Sequence, residues 1–159
     1  MSLLDMDERL IEIAQHADLV YSPLVDAKTY PDGVDVCLVE GAVANEEDLA
    51  RIRTVRERTR TLVSFGDCAV TSNVPGMRNP IGISPLLSRA YLENVTLAPQ
   101  IPSQVVPRLL PTAMPVHAVV DVDAFLPGCP PSADLIHHAL VELLAGRRPD
   151  LSRRARFGR

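Results

Sequence analysis

Eleven of this chain's fourteen prolines lie between Pro75 and Pro131. Each removes a backbone donor and fixes its own φ, so the stretch can form neither one long helix nor a central strand. The chain therefore divides into a regular beginning, an irregular proline-set middle and a regular end. Its 159 residues are 47% hydrophobic and 23% charged, the balance of one globular domain. Tryptophan is absent and aromatics are 4%, so the core must be aliphatic. No run reaches the roughly 18 apolar residues of a membrane span. The start, Met1-Ser2-Leu3-Leu4-Asp5-Met6-Asp7-Glu8, lacks the pattern of a secretory signal. A net charge of −4 argues against nucleic acid as a partner. Cys37, Cys68 and Cys129 are odd in number and far apart, which is no disulfide framework and suits a reducing cytoplasm.

Outside the proline section the patterning is regular. Leu3, Leu4, Leu10, Ile11 and Ala14 share one stripe, which predicts a helix over 2–16 with Ser2 as its cap. Residues 17–22 predict a short strand, and Pro31-Asp32-Gly33 a turn. Val34-Asp35-Val36-Cys37-Leu38-Val39-Glu40 is β-branched, nearly continuous in apolar character and closed by Gly41. That suits a strand covered on both faces of a parallel sheet. Asn45 is a good N-cap, Glu46-Glu47-Asp48 fall in a first helical turn, and Leu49, Ile52 and Val55 mark the buried stripe of a helix over 45–59. A strand is expected over 61–66, a short helix over 85–91, a strand over 116–120 and a helix over 132–145 stopped by Gly146. This alternation predicts an α/β fold, a mostly parallel sheet with helices on both faces. One domain is expected over 1–146, with the proline-rich irregular section at 70–116 inside it. A basic tail over 147–159 carries six arginines against one aspartate, and disorder is its default.

Three segments follow expected strands: Val39-Glu40-Gly41-Ala42-Val43, Gly66-Asp67-Cys68-Ala69 and Leu126-Pro127-Gly128-Cys129-Pro130-Pro131. In an open α/β sheet ligands gather beyond the carboxyl ends of the strands, so Glu40, Cys68 and Cys129 can converge on one edge. A cysteine after a strand-ending glycine is placed to bind metal or attack a substrate, and a helix start after Cys129 favours the thiolate. Cys68 and Cys129 are equally readable as small buried hydrophobes, and Cys37, inside an apolar strand, is read that way. A nucleophilic thiol needs a base, and His16, His117, His137 and His138 have no local pairing with a cysteine. No C-x-x-C or H-x-x-H pair supports zinc. Glu40 reads either as a buried carboxylate with a raised pKa, able to carry a proton, or as a loop-tying group. The arginines from Arg51 to Arg60 read as a solvated helix face.

Together with Asn45-Glu46-Glu47, Asn73-Val74-Pro75-Gly76-Met77-Arg78-Asn79-Pro80 and Ser132-Ala133, these segments resemble the small subunit of nickel–iron hydrogenases. That family includes the 20 kDa subunit of respiratory NADH dehydrogenase. The nearest likeness is to the small (delta) subunit of cytoplasmic, bidirectional NAD-reducing hydrogenases, and it spans nearly the whole chain. The resemblance implies a flavodoxin-like domain holding one 4Fe–4S cluster on four cysteine thiolates. Cys68 and Cys129 match two of the ligand positions, and Glu40 matches a carboxylate near the cluster and the subunit interface. The implied partners are a nickel–iron large subunit and diaphorase subunits. Between them this chain would relay electrons, in a complex coupling hydrogen oxidation to NAD reduction; alone it would not be catalytic.

The family's other two ligands come from a C-x-G-C motif just before the first helix, and this sequence starts at Met1, past that motif. The expectation is a start at an internal methionine, with two further ligands upstream and the sheet's first, usually central, strand missing. The same upstream loop would bind a flavin phosphate, so FMN has little support here. Two other readings stay open. One is a cluster-bearing subunit of a related quinone-reducing or NADH oxidoreductase complex; the other is a cluster-free interaction domain of the same fold.

Overall fold

The structure, a computed structural model, describes residues 3–22, 26–151 and 155. A 3₁₀ turn over Leu4–Met6 leads into α1 (Glu8–Ala14). Val34–Glu40 forms β1, as its β-branched run predicts. Gly41 turns the chain, with φ 91°, into the short β2 (Val43–Asn45), and α2 (Glu46–Arg58) follows at once. The Asn45 side chain accepts the Asp48 N–H at 2.8 Å, and three acidic residues in the first turn complement the helix dipole. β3 (Thr59–Phe65) runs straight into α3 (Gly66–Thr71). The proline section holds α4 (Asn73–Gly76), α5 (Ile83–Ser88) with a π-helical extension to Glu93, and β4 (Leu109–Met114). β5 (Ala124–Leu126) precedes α6 (Ala133–Leu144), which Ser132 caps by accepting the Leu135 N–H.

β1, β3 and β5 form one parallel sheet in that order, with Phe65 beside both Glu40 and Leu126. Alternation along the strands sends side chains to two covered faces. On one face Val36, Leu38, Val63, Phe65 and Leu126 meet Leu135, Ile136 and Ala139 of α6, with Met6, Leu10 and Ile13 alongside. On the other, Cys37, Val39 and Leu62 meet Ile52 and Val55 of α2, with Tyr30 and Val116. Helices thus cover both faces, as the element order predicts. Leu62, Val63, Leu126 and Ile136 are all but fully buried. Each contributes roughly 1.5–3 kcal/mol by leaving water. β2 and β4 pair antiparallel as a separate two-stranded sheet. It is tied to the segment after α4 by side chains. Asn79 exchanges hydrogen bonds with both the N–H and the carbonyl of Ala113, and Arg78 donates to the carbonyls of Ala44 and Leu110.

Several expectations need correction. The helix over 2–16 is interrupted at Asp7, whose φ is 49°, and its expected cap Ser2 lies outside the described residues. The described residues 17–22 are not a strand. Residues 116–120 form a 3₁₀ turn at Val116–Ala118 instead of a strand, because Pro115 opens it and Val116 must reach the core. The strand of that region is β4, which tolerates Pro111 at the edge of its small sheet. β1 and β3 pair directly, so no central place is vacant between them; a further strand could join this sheet only at an outer edge. Residues 152–154 and 156–159 of the basic tail lie outside the described residues. Among the described residues no helix is long and apolar enough to cross a membrane.

Candidate functional site

Because the three strands run parallel, their carboxyl ends share one rim. Glu40 closes β1 there, Cys68 follows the end of β3 in the first turn of α3, and Cys129 lies in the loop after β5. Gly66 starts α3 with φ 80°, and Gly128 takes φ 143°. At Gly128 no side chain fits, since a Cβ would stand 2.5 Å from Cα of Pro131. The Cys129–Pro130 peptide is cis.

Two hydrogen bonds join these loops. The Asp67 N–H donates to the Gly128 carbonyl at 2.8 Å, and the Gly128 N–H donates to the Asp67 carboxylate at 2.7 Å. Cys68 and Cys129 are the next residues along, so abutting backbone segments carry them. Cys68 is half-buried and Cys129 exposed. The Asn73 amide nitrogen lies 3.6 Å from the Cys129 sulfur.

The other sequence candidates fall elsewhere or change character. Cys37 faces α2, apart from the rim. Burial pushes its thiol pKa up, against the smaller pull of the Tyr30 hydroxyl. Burial and Cys37 push the Tyr30 pKa up in turn, while its hydroxyl shares a 2.7 Å hydrogen bond with Thr59. A thiol held protonated is a poor ligand, which agrees with the packing role read for Cys37. Glu40 is exposed instead of buried among apolar neighbours, so the burial premise for a proton carrier is absent. Its place on the shared rim stands. His117 stacks edge-on against Phe125, with ring centroids 5.5 Å apart. Among the described residues no histidine hydrogen-bonds a cysteine. Two surface clefts open at the opposite ends of the strands, one lined by Arg60, Thr61 and Asp123 and one by residues 32–35 and 57–60, and neither includes a cysteine.

Soft sulfur donors on a shared rim suit iron–sulfur chemistry better than a hard cation. The buried hydroxyls of Ser64, on β3, and Ser72, at the end of α3, have no hydrogen-bond partner in the protein. The Gly128 turn admits nothing larger than hydrogen. Two thiols are half of a four-cysteine set, and among the described residues no three metal-ligating side chains group together. The residues present therefore fit one half of a cluster site. Asp67 and Asn73 had no role in the sequence reading beyond their place in motifs. The signal for Asp67 was a carboxylate inside a segment otherwise made of small residues.

Comparison with known proteins adds four findings. Residues 1–143 match the family described as NADH ubiquinone oxidoreductase, 20 Kd subunit. The delta subunit of the NAD-reducing hydrogenase HoxS of Cupriavidus necator is 38% identical over 156 residues, 95% of this chain and 75% of that protein. An iron-sulfur subunit of the F420-non-reducing hydrogenase of Archaeoglobus profundus is 27% identical over 169 residues, 94% of this chain and 53% of that protein. Among solved structures, a chain of an NAD+-reducing [NiFe]-hydrogenase in the H2-reduced state superposes with a TM-score of 0.89 at 38% identity. The match covers 94% of this chain and 85% of that one. The superposition shows that the parallel sheet with helices on both faces is a hydrogenase small-subunit fold. With Cys68 and Cys129 on its rim and the match running over residues 1–143, the chain belongs to the NADH ubiquinone oxidoreductase 20 Kd subunit family.

Proposed function

We propose that this chain is the electron-transferring small subunit of a cytoplasmic, NAD-linked nickel–iron hydrogenase, in which Cys68 and Cys129 help to hold a 4Fe–4S cluster. The observation that carries this reading is the paired hydrogen bonding between Asp67 and Gly128, which brings two cysteine turns far apart in sequence onto one rim. When bound, the cluster supplies a one-electron relay. The chain's own residues do the positioning. Asp67 sets the spacing of the two turns, Gly66 and Gly128 let the backbone approach closely, and Pro130 and Pro131 fix the turn beyond the second sulfur. A four-thiolate cluster needs two ligands besides Cys68 and Cys129. Glu40, exposed on the rim, is a carboxylate for the subunit interface and not a ligand. The proline section faces a nickel–iron large subunit, and diaphorase subunits take the electrons onward to NAD.

The test is anaerobic isolation of the complex that contains this chain. A brown preparation is expected, with about four irons per small-subunit cluster. Cys68→Ser and Cys129→Ser should each remove most of that iron. A colourless, iron-free small subunit overturns the reading. The family description favours one second reading, a cluster subunit of a quinone-linked complex. Nickel in the co-purifying large subunit separates the two.

A further inference from the structure

We propose that Asn73 sets the reduction potential of the cluster by donating a hydrogen bond to the sulfur of Cys129. This rests on the cluster reading above and extends it to a residue that is not a ligand. The geometry is unusual for a loop position. α3 closes with the Ser72 N–H donating to the Cys68 carbonyl at 3.1 Å. Ser72 then takes φ 65° and Asn73 φ 20°, two successive non-glycine residues at positive φ. Such backbone is costly for a residue that carries a side chain and persists where the surroundings enforce it. Gly76 helps to enforce it: its N–H donates to the Ser72 carbonyl at 2.8 Å, and a Cβ there would stand 3.1 Å from Cβ of Ser72. The kink brings the Asn73 amide nitrogen to 3.6 Å from the Cys129 sulfur. One short segment thus carries Cys68 at one end and touches Cys129 at the other.

The chemistry fixes both the orientation and the sign. A metal-bound thiolate can only accept, so the amide presents its NH2 group. Donors to the sulfurs favour the more negative, reduced cluster and raise its potential. Asparagine also suits the backbone here, because it tolerates the left-handed region better than most residues.

The experiment is an anaerobic redox titration of the cluster in the intact complex, with iron content and the exchangeable protons coupled to the reduced cluster measured on the same samples. Asn73→Gly removes the donor and accepts the same φ. It should keep its iron, lose one exchangeable proton coupling and shift the one-electron equilibrium about tenfold toward the oxidised form, a lowering of about 59 mV. Asn73→Asp keeps the shape but replaces the donor with a charged acceptor, and should lower the potential further with the same coupling lost. If Asn73→Gly folds poorly, Asn73→Asp decides. A loaded variant with the wild-type potential, or one that retains the proton coupling, overturns the role of Asn73 and leaves the cluster reading standing. Wild-type protein that binds no iron through Cys68 and Cys129 overturns both.

Discussion

Asp67 is the residue on which the rim turns. Its carboxylate is buried and accepts the Gly128 N–H across 61 positions of sequence, while its own N–H returns the bond. Removing one partner of a buried hydrogen bond leaves the other unsatisfied, at a cost of about 1–3 kcal/mol. Asp67→Ala should therefore lower the unfolding free energy by that amount, seen as a lower denaturation midpoint, and reduce bound iron. Asp67→Asn, which keeps an acceptor oxygen, should lose less of both. Equal stability of wild type and Asp67→Ala in a denaturant titration would show that the rim does not depend on this tie. Gly128→Ala is the sharper test of the same turn. The added Cβ would meet Pro131 at 2.5 Å, with a φ of 143° that side chains rarely adopt. The expected outcome is a soluble chain with iron content well below wild type. The strand-end positions of Glu40 and Cys68 were legible because β1 and β3 carry a recognisable pattern; that of Cys129 rested on no such signal, since the strand before it, β5, is three residues long and was not expected. The role of Asp67 was not legible, because a carboxylate discloses no distant backbone partner.

At the scale of elements, a polar junction helps to fix α2 to the sheet. The Asp123 carboxylate accepts the Leu62 N–H at 2.8 Å and Arg56 at 2.7 Å, and the Asp123 N–H donates to the Leu62 carbonyl at 2.9 Å. Burial alone would raise the Asp123 pKa, but Arg56 and the Leu62 N–H together hold it below the ordinary carboxylate value. A carboxyl depressed in the folded state stabilises above its unfolded pKa of about 3.9, and that contribution is lost as pH falls through the folded value. Asp123→Asn should thus be less stable than wild type at neutral pH, by about 1 kcal/mol or less because the pair is partly exposed. The difference should vanish in acid. A deficit unchanged from pH 7 down to strongly acid conditions would exclude this junction as its source. Asn45→Ala should cost about 1 kcal/mol at the start of the same helix, read from its denaturation midpoint. β1, α2, β3 and α6 were readable because periodicity and caps agree in each. β2 and β4 were not, since a three-residue strand and a proline-bearing edge strand carry no periodic signal. Val116 to Val120 misled for the opposite reason, as its β-branched run packs from a 3₁₀ turn set by Pro115.

The whole molecule is covered unevenly. Helices shield both faces of the sheet, yet the proline section leaves large apolar side chains in water. Leu97 is 83% exposed, Met77 71% and Val74 60%. Single exposed apolar residues are ordinary, but a run of them in one section is the kind of surface that interaction sites present. Prolines suit such a surface, because they hold extended segments without offering the free donors that would pair with a foreign strand. The run joins the rim directly, for α4 starts at Asn73, beside Cys129. Under the proposed function its partner is the nickel–iron large subunit. Met77→Asp and Leu97→Asp together place two charges where that interface would exclude water, and truncations at the centre of such interfaces cost more than 1 kcal/mol each. The double variant should bind the large subunit at least about tenfold more weakly in a titration of the separated subunits. Its own denaturation midpoint should not move, since both positions already stand in solvent. Unchanged affinity would move the interface away from this section, and a lowered midpoint with unchanged affinity would mean that the section packs against its own domain.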